Sequence, residues 1–348
     1  MSERTKDDLK QLQSMPLDAK ILMTQARIRE WMREFGENGV YVSFSGGKDS
    51  TVLLDIVHKM FPDIEAVFVD TGLEYPEIRQ FVKTFDNVTI LRPDMRFDEV
   101  IKKYGYPMLS KEISECIDQG RKSLARKDGT YNYRLLKLQG VVTDKNGNLS
   151  KFNKAKYQPL LTADFLLSNW CCKIMKKRPV KSYGKSKSKM PLTAQMACES
   201  ALRAQWWVKN GCNGFEMKSP ISNPMSFWTE QDVLKYIKEN NLKIASVYGD
   251  IVPDDEQVCF EGCEQTDKLT TTGCHRTGCI FCGFGCHLEK GEGRFERLKR
   301  THPKQYAYCM NGGEYDERGL WVPNKQGLGM KHVIDELNKL YGKDFIKY

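Results

Sequence analysis

The sequence predicts an α/β fold: a doubly wound parallel sheet followed by a cysteine-rich C-terminal region. Three observations predict it. A short apolar run, Val40 to Phe44, breaks at Gly46 and Gly47 into a helix-periodic stretch from Thr51 to Met60. Further apolar runs alternate with helical patterns as far as Tyr104, the rhythm of βαβ units. The cysteines gather late, with Cys259, Cys263, Cys274, Cys279, Cys282 and Cys286 inside one short stretch.

Taken in order, Leu17, Ile21, Ile28, Trp31, Met32 and Phe35 recur at helical spacing and Gly36 stops them, which predicts an amphipathic helix packed on the sheet. Val40 to Phe44 and Ile64 to Val69 read as buried strands, and Val88 to Leu91 as a third. Helices are expected to Phe85 and over Phe97 to Tyr104, the latter ended by Gly105 and Pro107. Residues 120–165, with Asp144-Lys145-Asn146-Gly147-Asn148 in their middle, predict a turn-rich, hairpin-like insertion. The basic run from Lys173 to Lys189 reads either as a solvated loop or as a phosphate contact. Thr229 caps a helix whose apolar stripe is Val233, Tyr236 and Ile237. Helical patterns return over Glu289 to Tyr308 and Lys331 to Leu340. The expected domains are an N-terminal helical segment, 1–36, a nucleotide-binding domain, 37–250, and the cysteine-rich region, 251–348.

Composition narrows the function. With 40% hydrophobic and 28% charged residues, the chain has ordinary globular proportions. No apolar run approaches the roughly 20 residues of a membrane span, and Met1 to Lys10 is polar and charged, so a cytoplasmic protein with no membrane partner is expected. A net charge of +9 favours anionic partners: nucleotides first, nucleic acid as an alternative. Twelve cysteines in a reducing compartment point to metal or catalysis rather than disulfides.

The chemistry concentrates at Ser43 to Ser50. A strand, a glycine turn and a helix N-terminus make an anion site, because Gly46 and Gly47 let backbone N–H groups point inward and the helix adds partial positive charge. Ser43, Ser45, Lys48 and Ser50 supply further donors, and Asp49 can position the loop or a metal. Asp70-Thr71-Gly72 also falls at the carboxyl end of an expected strand, where doubly wound sheets bind ligands. The loop matches neither G-x-x-x-x-G-K-S/T nor G-x-G-x-x-G.

Ser45-Gly46-Gly47-Lys48-Asp49-Ser50 resembles the S-G-G-x-D-S loop of the PP-loop (adenine nucleotide alpha hydrolase) superfamily. Asp70-Thr71-Gly72 with Pro76 and Glu77 is similar to the D-T-G-x-x-x-P-E segment of phosphoadenosine phosphosulfate reductases. Trp228-Thr229 with Asp232-Val233 and Tyr236-Ile237 resembles a helix shared by PP-loop enzymes of sulfate assimilation, and its expected role is packing. Most of the chain, through Cys279, His302-Pro303 and Gly329-Met330, is similar to bacterial and phage reductase-domain proteins. The resemblance implies an adenine nucleotide, ATP or a sulfonucleotide, at the loop with Mg²⁺, and Arg203 near the substrate. It also implies an electron or sulfur donor protein as partner.

Two cysteine sets stand open. Cys171-Cys172 followed by Cys279 and Cys282 resembles the 4Fe-4S pattern of adenylyl-sulfate reductases. A local group of Cys274, Cys279, Cys282 and Cys286 would instead hold Zn²⁺ or a cluster. The chain departs from the reductases in lacking an E-C-G-x-H tail: its last cysteine, Cys309, in Tyr308-Cys309-Met310-Asn311, is the expected catalytic thiol only by default. An intact loop and a missing tail together favour ATP. Three functions follow: a sulfonucleotide reductase-like oxidoreductase with an iron–sulfur cluster, an ATP pyrophosphatase that adenylates a substrate for sulfur insertion, and a nucleotide-binding module with structural zinc. Oligomeric state is unspecified.

Overall fold

The computed structural model describes residues 4–126, 128–254 and 268–348. The chain groups into two compact units that alternate in sequence. The first comprises Met1–Asp70, Glu74–Arg92 and Pro179–Gly278; the second comprises Thr71–Leu73, Pro93–Arg178 and Cys279–Tyr348. This grouping cuts across the expected linear boundaries at 36 and 250. The N-terminal helices belong to the sheet-bearing unit, while residues 93–178 leave it and group with the C-terminal region.

The first unit is built on a six-stranded sheet. Its strands are β1 (Val40–Ser43), β2 (Ala66–Val69), β3 (Val88–Leu91), β4 (Met190–Leu192), β5 (Asn213–Gly214) and β6 (Ile221–Ser222), in the order β3-β2-β1-β4-β6-β5. All neighbours are parallel except β5 and β6. The expected parallel α/β class therefore holds. Winding proceeds outward from β1 to β3 and resumes on the other side at β4, so the switch point lies at β1, where ligands bind in such sheets. Val40, Tyr41 and Val42 are buried, as are Val52, Leu53, Ile56 and Val57 of the following helix, Lys48–Met60. That uninterrupted burial is what a strand covered on both faces requires.

The N-terminal helix Leu17–Phe35 is anchored to this unit by polar side chains as well as apolar ones. Lys20 is 2% exposed, and its ammonium reaches the Asp232 carboxylate at 2.7 Å and the Gln13 carbonyl at 2.7 Å. The Trp228 indole N–H donates to Thr24 Oγ1 at 2.9 Å. Asp232 also closes a capping box with Thr229 at the start of Glu230–Glu239. The tryptophan–threonine–aspartate motif thus has the packing role expected of it.

Several local expectations change. The segment Lys173 to Lys189 is helical over Lys173–Lys177 and Arg178–Lys187 rather than a loop. In the 120–165 insertion, the hairpin shrinks to a bridge between Thr143 and Leu149, flanked by the helices Tyr133–Gln139 and Ala155–Leu161. Leu135, Leu138 and Leu160 are buried, so an apolar face overrode the turn-rich composition. In the second unit the final helix, Met330–Tyr341, buries Val333, Ile334 and Leu337. Among the described residues no helix is long and apolar enough to cross a membrane.

Glu65, just before β2, ties three strands together. Its carboxylate accepts hydrogen bonds from Lys189 at 2.7 Å, from Tyr183 at 2.6 Å and from Thr89. Burial raises its pKa, but these donors outweigh burial and hold it below the usual carboxylate range. A folded-state pKa below the unfolded one gives stability that is full above the ordinary value of about 4.3 and is lost as pH falls through the depressed value. Glu65→Gln is expected to lower stability by about 1–2 kcal/mol at pH 7 and to flatten the acid limb of a urea-midpoint profile between pH 5 and 3, which checks the assignment.

Candidate nucleotide loop and thiol cluster

The turn after β1 has the geometry its residue types require. Gly46 sits at φ +72°, and a Cβ there would lie 2.7 Å from Val82 Cγ2 and 2.8 Å from Ile78 Cγ2. Both methyls come from the helix Pro76–Val82. Ser45 N–H donates to Ser50 Oγ at 3.1 Å, Gly47 N–H to Ser45 Oγ at 3.3 Å, and Ser50 Oγ to the Gly47 carbonyl at 2.9 Å. The turn therefore braces itself with its own serines at the start of Lys48–Met60. Ser43 ends β1 directly before it.

Lys48 is 3% exposed, so its charge needs partners. Its ammonium lies 2.9 Å from Glu230 and 3.6 Å from Asp49, and donates to the His275 carbonyl at 3.1 Å. Burial opposes the charge, but Asp49 and Glu230 outweigh it and raise the Lys48 pKa. Asp49 is raised by burial against the pull of Lys48, and its Oδ1 is buried without a hydrogen-bond partner. The Lys48 amide N–H donates to the Tyr248 hydroxyl at 3.1 Å, which is 2.6 Å from Thr277 Oγ1. Arg203 pairs with Glu199, which also holds Arg276 at 2.7 Å. Burial and Arg276 lower the Arg203 pKa, and Asp49 opposes them. The structure thus brings Lys48, Asp49 and Arg203 into one charged neighbourhood.

Asp70 pairs with Arg79 at 2.9 Å. Thr71 and Gly72 fall in the second unit, where Thr71 Oγ1 accepts the Leu73 N–H at 3.1 Å. Sequence reasoning missed Glu230, Tyr248, Glu199, Arg276 and Thr277. Glu230 and Tyr248 were present inside recognised stretches, but nothing in local spacing says that their side chains turn to Lys48.

In the second unit, Cys171 and Cys172 sit on the short helix Trp170–Cys172, whose Trp170 stacks on Tyr104 with centroids 5.3 Å apart. Cys279 and Cys282 close a turn, the Cys282 N–H donating to the Cys279 carbonyl at 3.0 Å. Gly283–Phe284 then pairs with Met108–Leu109. The Cys171 thiol is pushed up by its neighbour Cys172, by burial, and by Cys282 and Cys279. Cys172 is held below the usual thiol range by its neighbour Cys171, against burial and with help from Lys111, Lys176 and Lys177. Burial raises Cys282, while Arg294 and Lys111 pull the other way. Two pairs more than a hundred residues apart in sequence are therefore within electrostatic reach of one another.

The alternative set fares differently. Cys286 is buried, donates to the Gly283 carbonyl at 2.8 Å and is pushed up to about 12 by burial. Cys274 belongs to the first unit, and Cys259 and Cys263 lie outside the described residues. Cys309 corrects its expectation as a catalytic thiol: it is 0% exposed against Met330, and burial alone pushes its pKa up. It is a core residue, since a nucleophile must be a reachable thiolate. Among the described cysteines, Cys198 alone is exposed. Partial burial and the Asp49 carboxylate raise its pKa.

Gly46→Ala tests the turn. Left-handed backbone for a residue with a Cβ and two methyl overlaps are expected to cost about 2–4 kcal/mol, read as a lower urea midpoint with an unchanged slope.

Comparison with known proteins gives four findings. The family model described as phosphoadenosine phosphosulfate reductase domain matches residues 39–116 and 126–283. Adenosine 5'-phosphosulfate reductase of Staphylococcus epidermidis is 25% identical over 220 residues, which is 62% of this chain and 67% of that enzyme. Adenosine 5'-phosphosulfate reductase 1 of Bacillus subtilis is 28% identical over 88 residues, 24% of this chain, and the match spans only 37% of the Bacillus enzyme's length. A crystal structure of phosphoadenylyl-sulfate reductase from Candida auris, a phosphate complex, aligns with a TM-score of 0.36 and 16% identity, over 64% of this chain and 82% of that one.

Proposed function

The chain belongs to the phosphoadenosine phosphosulfate reductase domain family, and from that premise we propose that it binds an adenine sulfonucleotide at the 45–50 loop and reduces it with the help of a 4Fe-4S cluster. The observation that carries the reading is the approach of Cys171 and Cys172 to Cys279 and Cys282. Four thiolates attached to different irons of one cluster suit this grouping. A single zinc ion is the alternative occupant of the same thiols. Lys111 and Arg294 bring positive charge to Cys172 and Cys282, which offsets the negative charge of a thiolate-bound cluster. Bound there, such a cluster would supply a compact redox-capable charge.

At the loop, the work belongs to the chain's own residues. Lys48 presents a charge already stripped of water, so a phosphate or sulfate oxygen meets it without a further desolvation cost. An incoming anion would take over from the Glu230 carboxylate at the ammonium and from the Tyr248 hydroxyl at the Lys48 amide. Asp49 Oδ1, buried without a hydrogen bond and ion-paired to Lys48 at 3.6 Å, would meet Mg²⁺ carried in with the nucleotide. Arg203 and Arg276 remain for the sulfonate end. A dithiol donor protein would supply two electrons as the sulfonucleotide yields sulfite and the adenosine monophosphate.

A second reading has its own support. Cys309 is buried and Cys198 has a raised pKa, so neither offers the loop a ready thiolate. That favours ATP, cleaved to pyrophosphate as a substrate is adenylated for sulfur insertion, with nucleic acid among the acceptors.

Anaerobic purification with iron and sulfide analysis tests the reading. About four irons per chain are expected, lost in Cys171→Ser and Cys279→Ser and kept in Cys309→Ser. Sulfite release from adenylyl sulfate or its 3′-phosphate supports the reductase, and pyrophosphate release from ATP supports the second reading. An iron-free, zinc-loaded protein would overturn the cluster.

A further inference from the structure

The first unit holds a cleft of about 1190 Å³ whose lining includes none of the loop residues. One wall comes from the N-terminal helices and Arg4, the other from the end of the helix Ala201–Asn210 and the segment 211–218. Trp206, Phe215 and Met217 line it half-buried, so flat apolar faces are presented without being sealed in the core.

The charges are unequal in a way that identifies a ligand class. Two of the three lining carboxylates are already engaged, Asp8 capping its own helix through Thr5 at 2.7 Å and Glu30 holding Arg27 at 2.5 Å and Asn213 at 3.1 Å, which leaves exposed Glu216 against three cations. Arg4, Lys209 and Lys218 also line the cleft, and among the described residues none of them has an ion-pair or hydrogen-bond partner. Gly211 makes room for one of them, since a Cβ there would lie 2.9 Å from Arg4 Cζ. Trp207 adds a polar group: it is 4% exposed, and its indole N–H has no acceptor beyond the weak Cys212 sulfur beside it. Unpaired cations around half-open aromatic faces are the means by which proteins hold a base and its phosphate together.

We propose that this cleft binds a nucleotide unit, an aromatic base bearing phosphate, with the base on Trp206 and the phosphate among Arg4, Lys209 and Lys218. The source is either a free nucleotide or one unit of a single strand. The helix Ala201–Asn210 gives the site its place in the molecule. Arg203, within electrostatic reach of Asp49, and Trp207 stand at i and i+4, on one helix face and about one turn apart. The helix that reaches Asp49 through Arg203 therefore also forms a wall of the cleft through Trp206 and Trp207. The inference does not depend on what the loop itself binds.

The test uses the full chain in a Lys48→Ala background, so that the loop contributes nothing to the signal. Fluorescence anisotropy follows a labelled single-stranded oligonucleotide of about ten residues, and tryptophan quenching follows adenosine monophosphate. Lys209→Glu with Lys218→Glu, both at exposed positions, is expected to weaken binding at least tenfold and to reduce the salt slope by about two. Trp206→Leu is expected to weaken it about tenfold, with circular dichroism confirming the fold. An oligonucleotide bound at least tenfold tighter than the mononucleotide assigns a strand, and equal affinities assign a free nucleotide. Absence of binding by both probes, or affinities unmoved by the charge reversals, overturns the proposal.

Discussion

A buried ammonium must be given counter-charge, and the first unit is arranged around supplying it to Lys48. The turn after β1 places Lys48 at the first position of its helix with almost no exposure. Removing such a charge from water costs several kcal/mol unless partners replace the lost solvation. Three groups provide them: Asp49 next in sequence, Glu230 from a helix nearly two hundred residues on, and the His275 carbonyl later still. Glu230 is held in place because its helix begins at the Thr229 cap, and Asp232 of the same turn is fixed by buried Lys20. The N-terminal helix therefore affects the site without touching it. Its one buried lysine orients the turn that carries the counter-ion of the other.

The same reasoning gives the arrangement a function. On the proposed reading, the carboxylate and carbonyl that satisfy Lys48 in the free protein would give way to an anionic ligand's oxygens. A site kept charged, dry and already oriented is what phosphate or sulfate recognition requires. In the second unit the physical problem is the reverse one. The Cys171 thiol is pushed up by its neighbour Cys172 and by burial, and Cys282 by burial, while Cys172 is held low by Cys171 and by Lys111, Lys176 and Lys177, so the cations lower the cost of ionising the group together. Without a bound group this grouping is costly, and with an iron–sulfur cluster the same residues would share its charge.

Much of the fold was legible in the sequence, and the reason is periodicity. Val40 to Phe44, Val88 to Leu91 and Phe97 to Tyr104 announce their state within a few residues, and the structure places elements there with ends shifted by at most one residue. The turn at 45–50 was legible because a left-handed glycine and a helix start leave a local signature. The counter-ions were not. Glu230 reads as an ordinary first-turn carboxylate, and Tyr248 as one more aromatic; only the tertiary fold aims them at Lys48. The helices at 133–139 and 173–187 were hidden by composition, since glycine, asparagine and lysine argued for loops while Leu135, Leu138, Ile174 and Met175 were there to be buried. Cys309 shows the converse limit: sequence lists thiols, and only burial says which of them solvent can reach.

The account's central claim is that the buried Lys48 charge exists to hold an anionic nucleotide. Calorimetric titration of adenylyl sulfate and ATP into the wild-type chain and Lys48→Met measures it most directly. The account predicts that one of the two binds the wild type and that the substitution weakens that binding at least tenfold, about 1.4 kcal/mol, while the melting temperature falls, because Asp49 and Glu230 lose their counter-ion. Equal affinity in both proteins, or no binding of either nucleotide to the wild type, would contradict it.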